Sequence, residues 1–67
     1  MRSFYTDPLG FTADICLLAN RRSARVTVRS PEGSIIHLKC YDTWDEAVST
    51  LRFMLPKAIN DLTHKPV

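Results

Sequence analysis

Glycine is scarce in this chain, and that excludes a large class of chemistry. Gly10 and Gly33 are the two glycines among 67 residues. Phosphate-cradling loops need several in one short run, and no GxGxxG, P-loop or GxSxG pattern occurs. Cysteine is equally sparse. Cys16 and Cys40 form no CxxC, and His37 and His64 stand alone, so no zinc-ligand spacing arises. If both cysteines lie on one sheet with a strand between them, they sit roughly 9–10 Å apart. A disulfide wants about 4.4–6.8 Å between Cα atoms, so two free thiols are expected, suited to a reducing compartment. No apolar run approaches the ~18–20 residues of a membrane span. The opening Met1-Arg2-Ser3-Phe4-Tyr5-Thr6-Asp7-Pro8 lacks the apolar core of a secretory signal. These absences lead to the expectation of a cytoplasmic protein with no membrane, no metal and no cofactor.

Catalysis is not expected either. The clustered carboxylates Asp42, Asp45 and Glu46 are explained by helix capping. A single-sheet domain this small also leaves little room for a pocket of ~300 Å³ or more.

What is present is the composition of a folded domain, 45% hydrophobic and 24% charged. Residues 1–67 read as a single small domain. A domain of this size buries only about 60% of the surface its unfolded chain exposes, and its core supplies roughly 3–5 kcal/mol. Such a chain gains stability from any partner that covers more apolar area.

One turn phrase occurs twice, as Asp7-Pro8-Leu9-Gly10 and as Ser30-Pro31-Glu32-Gly33. Proline presets φ at the second position. Asp or Ser bonds the turn backbone, and glycine takes the left-handed conformation that closes a hairpin. From Phe11 to Asn20, the apolar set Phe11, Ala13, Ile15, Leu17 and Ala19 alternates with the rest, as in a strand with one buried face. A polar connector at residues 20–24 leads into Arg25-Val26-Thr27-Val28-Arg29, with Val26 and Val28 facing inward. In residues 34–41 the alternation assigns Ile36, Leu38 and Cys40 to the inside and Ile35, His37, Lys39 and Tyr41 to the outside. Residues 2–6 are a candidate first strand.

At Thr43 the period changes. Thr43 followed by Glu46 is a capping box, and Asp45 and Glu46 complement the positive end of the helix dipole. Trp44, Ala47, Val48, Leu51, Met54, Leu55, Ala58, Ile59 and Leu62 then recur at helical spacing. Because that spacing crosses Pro56, a helix kinked there is expected, with a stop near Leu55 as the alternative. Residues 63–67 read as a frayed tail. The predicted fold is α+β: an antiparallel meander of three or four strands, one face covered by a C-terminal helix.

The other face is left open, and charge is segregated toward it. Residues 21–40 carry five cations against Glu32, a net +4, and residues 41–61 carry two cations against four anions, a net −2. The leading functional expectation is a non-enzymatic interaction module that uses the open face to self-associate as a homodimer or to bind a protein partner. Its expected contacts are Cys16, Leu18, Ile35 and Tyr41. The alternative expectation is duplex nucleic-acid binding by Arg21, Arg22, Arg25, Arg29 and Lys39.

Overall fold

Both Pro-x-Gly turns form as their residues dictate. The computed structural model describes residues 2–60. β1 (Arg2–Thr6) joins β2 (Thr12–Leu17) across the first turn, and β3 (Ala24–Arg29) joins β4 (Ile35–Tyr41) across the second. The Gly10 and Gly33 amides each donate at 2.9 Å, to the carbonyls of Asp7 and Ser30. Asp7 Oδ1 accepts from the Leu9 amide at 2.6 Å, the local bond that favours Asp at a turn start. Both glycines have positive φ, 97° and 93°.

The two turns lie together at one end of the sheet. A Cβ on Gly10 would stand 3.2 Å from Pro31 Cβ, whereas one on Gly33 would meet nothing within 4 Å. Gly10→Ala is therefore expected to destabilise more than Gly33→Ala. Both variants carry the left-handed penalty of about 1–2 kcal/mol, but only the first adds a collision. Urea unfolding of the two variants measures the difference, and equal losses would show that the turns do not touch.

The connector between β2 and β3 closes differently. The Leu18 amide donates to the Ser23 carbonyl at 2.8 Å. Asn20 Oδ1 accepts from the amides of Arg22 and Ser23, each at 2.9 Å. Arg21 occupies the left-handed region here, at φ 61°.

The strands form one open antiparallel sheet in the order β4-β3-β2-β1-β5. β5 (Ile59–Asn60) was not foreseen from the sequence; it pairs antiparallel with β1, opposite Thr6 and Tyr5. It partly covers the β1 edge, and at the other end of the sheet β4 has no outer neighbour among the described residues.

α1 (Trp44–Met54) starts at the expected cap. Thr43 is extended, and its Oγ1 accepts from the Glu46 amide at 3.1 Å. The helix does not continue through Pro56. A residue before proline is driven out of helical φ/ψ, and Leu55 sits at φ −126°, ψ 72°. The chain turns at Pro56–Lys57, and the Ala58 amide donates to the Leu55 carbonyl at 2.9 Å. Ala58 and Ile59 thus keep helical spacing in sequence without being helical. The expected continuation to Leu62, and the tail at 63–67, lie outside the described residues.

The core sits between the sheet and α1. Ala13 and Ile15 of β2 and Ala24, Val26 and Val28 of β3 are buried against Ala47 and Leu51 of the helix. Tyr5, Trp44, Val48 and Leu55 pack around them.

β4 runs in the phase opposite to the one expected. Arg29 pairs with Ile35, but Val28 pairs with His37, so Ile36 is left as a bulge. A one-residue shift moves every following side chain to the other face. His37, Lys39 and Tyr41 therefore share the helix side with Val28, Val26 and Ala24, while Leu38 and Cys40 share the open face with Thr27 and Arg25. Tyr41, only 8% exposed, joins the core. The pairing has a packing rationale: Ala24 opposite Tyr41 leaves space for the ring, and His37 Nε2 lies 3.0 Å from the phenol oxygen. A buried tyrosine hydroxyl needs such a partner.

Candidate functional site

Strand alternation builds the open face as a grid. Its rows are Arg2, Phe4 and Thr6 on β1, then Cys16, Asp14 and Thr12 on β2. Arg25, Thr27 and Arg29 follow on β3, with Cys40, Leu38 and Ile35 beside them on β4. Cys16 and Cys40 flank Arg25 on its neighbouring strands, and both are free thiols, as their spacing requires.

Asp14 is the one carboxylate in this grid, and it is engaged. Arg2 grips it with Nε 3.0 Å from Oδ1 and Nη2 2.6 Å from Oδ2. That hydrogen bonding, and then the opposite charge of Asp14, holds the Arg2 guanidinium above its ordinary pKa. Arg2 was not among the residues singled out from sequence. The signal was there: the first turn sets Thr6 opposite Thr12, which places Arg2 diagonal to Asp14.

Asp14 is held by Arg2 and makes no ion pair with the β3 arginines among the described residues. Arg29 Nη1 donates to the Gly33 carbonyl at 3.2 Å. Arg25 is exposed, and its side chain has no hydrogen-bond or ion-pair partner among the described residues. A hollow of about 270 Å³ lies among Arg2, Thr12, Asp14, Arg25, Thr27 and Arg29. Arg21 and Arg22 are exposed at the β2–β3 connector, beyond the Ala24 end of β3. Lys39 does not belong to this set. It lies on the helix side, with its Nζ 5.4 Å from the centroid of the Tyr41 ring.

The apolar candidates separate as well. Tyr41 is a core residue and leaves the interface set. Cys16 is half-buried, its Sγ 3.6 Å from the Leu17 carbonyl, and Leu18 is half-buried at the start of the connector. Ile35 remains exposed, at 50%, and the bulge adds two residues the sequence had placed inside: Ile36 at 54% and Leu38 at 58% exposure. These three lie on β4, an edge strand with no outer neighbour among the described residues.

Ile36 also lines an apolar groove of about 460 Å³ between the end of α1 and the glycine turns, with Leu9, Phe11, Met54 and Leu55. The expectation was of little room for a pocket of ~300 Å³ or more; this groove is larger. The helix stops at Met54, and its early end leaves the lower part of the sheet uncovered. Among the described residues no three His, Cys, Asp or Glu side chains gather to hold a metal, and no helix is long and apolar enough to cross a membrane.

No protein-family model, no curated protein and no solved structure matches this chain.

Proposed function

We propose that this chain is a non-enzymatic interaction module that pairs with a second copy of itself along the β4 edge. The observation that carries this reading is the exposure of β4 on both faces, with Ile35, Ile36 and Leu38 at or above half exposure on a 7-residue strand that ends the sheet. A bare apolar edge offers unpaired backbone donors and acceptors together with side chains that favour burial.

The strand is self-complementary. Its midpoint is Leu38, so a two-fold antiparallel pairing centred there sets Leu38 against Leu38 of the second copy on the open face. His37 then falls opposite Lys39 on the helix side. Lys39 meets a histidine instead of another lysine, which avoids the lysine-on-lysine contact that blunts many edges. The bulge puts Ile36 out of phase, so the regular ladder about Leu38 spans residues 37–39. A pairing this short covers less than the ~1,200 Å² of a standard interface, and association belongs in the micromolar range. The lean core supplies the driving force, because Ala13, Ala24 and Ala47 make up much of its buried set.

Sedimentation velocity over roughly 10–500 µM tests the proposal. The wild type is expected to move from monomer to dimer across that range, and Leu38→Lys to stay monomeric. Ser49→Lys, an exposed helix position, serves as the control and is expected to dimerise normally. A wild type that stays monomeric, or a Leu38→Lys variant that dimerises equally well, would overturn it.

A further inference from the structure

We infer that the stripe running from Arg29 through Arg25 to Arg22 and Arg21 binds the phosphate backbone of a nucleic-acid duplex. Three observations converge on it, none shared with the β4 edge.

The first is alignment. Arg25 and Arg29 project from the same face of β3, four residues apart, or about 13 Å at ~3.3 Å per residue. Arg21 and Arg22 are exposed in the connector beyond the Ala24 end of the same strand. A linear array of guanidiniums suits a linear polyanion, because each planar fork can donate to the oxygens of one phosphate.

The second is the electrostatic setting. Arg2 occupies both oxygens of Asp14, the acid in the grid, so Arg25 has no acidic partner among the described residues. Exposed cations on a solubilising surface are usually interspersed with anions; here the intervening residues Ser23, Ala24, Val26, Thr27 and Val28 carry none.

The third is backbone strain. Three described residues have positive φ. Two of them are the glycines of the hairpin turns, and the third is Arg21, at φ 61°. An arginine held in the left-handed region costs stability that glycine would not. Strain kept at an exposed tip, where glycine would relieve it, marks a side chain retained for contact.

The duplex is favoured over single strands by what the face lacks. Single-strand binders stack bases on successive aromatic rings, and Phe4 is the one aromatic residue of the open-face grid. Tyr5 and Tyr41 lie on the helix side, and Trp44 packs on the core. The contacts reach phosphates without reading bases, so binding is expected to be indifferent to sequence and steep in salt.

Fluorescence anisotropy with a labelled duplex of about 25 base pairs tests the inference. Four phosphate contacts give a log–log salt slope of about −3.6, a loss of roughly a hundredfold in affinity between ~50 and ~200 mM salt. Arg25→Ala is expected to reduce the slope by about one. Arg21→Gly is expected to raise the Tm while also reducing the slope by about one, a pairing of gains and losses that a merely structural arginine does not produce. Lys39→Ala, on the other side of the sheet, leaves the slope unchanged. A neutral edge variant, Leu38→Ser, is expected to retain the slope per chain, which separates this site from the β4 edge. No duplex binding at ~50 mM salt, an unchanged slope in Arg21→Gly and Arg25→Ala, or capture by anionic vesicles with no capture by duplex would each overturn it.

Discussion

Leu51→Ala is expected to bring this domain to the edge of unfolding at room temperature. Leu51 is among the four largest fully buried side chains, with Ile15, Val26 and Val28, and it is the one supplied by α1. Its helix neighbour in the core is Ala47, which is too small to fill the space left behind. Truncating a buried leucine costs about 2–5 kcal/mol, toward the upper end where the surroundings cannot collapse. The alanines of the same core, Ala13, Ala24 and Ala47, are too short to refill such a cavity. A core of this size supplies roughly 3–5 kcal/mol in all, so one substitution removes most of the stability. Phe53→Ala, one turn-face away at 88% exposure, should change stability by less than about 0.5 kcal/mol. Urea melts followed by circular dichroism compare the two. A Leu51→Ala loss below about 1 kcal/mol would mean that α1 does not seat on the sheet as described.

Tyr41→Glu is expected to abolish cooperative folding, whereas Leu38→Lys, on the same strand, leaves the fold intact. A carboxylate in the Tyr41 site would lose its hydration inside the core and lie beside Ala24 with His37 as its available polar neighbour. Burying a charge there costs several kcal/mol or forces its neutralisation. Tyr41→Phe is milder: it removes the bond to His37 at a cost of about 1 kcal/mol. Leu38 faces the open side at 58% exposure, so lysine there meets water. The contrast reads the phase of β4 directly, because the unbulged register predicts the opposite result for both positions. Thermal melts with near-ultraviolet circular dichroism distinguish them.

Much of the architecture is legible from local chemistry. Each Pro-x-Gly turn carries its own geometry, and the first also carries its register, from which the Arg2–Asp14 grip follows. The alternation of β2 and β3 assigns Ala13, Ile15, Val26 and Val28 to the core because the strand period is two and the apolar set is unbroken. Thr43 declares the helix start. The open-face arginines on β3 were readable for the same reason.

β4 was misread because both of its alternating sets contain apolar residues. Ile36, Leu38 and Cys40 compete with Ile35 and Tyr41, and period alone slightly prefers the first set. The second turn taken without a bulge would have agreed with that choice. Lys39 and Tyr41 therefore exchanged sides with Leu38 and Cys40 in the expected and observed surfaces.

Hydrogen-bonding preferences of neighbouring residues determined the two hairpin turns, the helix cap and the stop imposed by Pro56, since each acts within four or five positions of the chain. Which side of β4 is buried was decided only in three dimensions. Ala24 leaves space for one large ring with a polar tip, Tyr41 fits it with His37 as partner, and a single bulged residue is a small cost for filling that space.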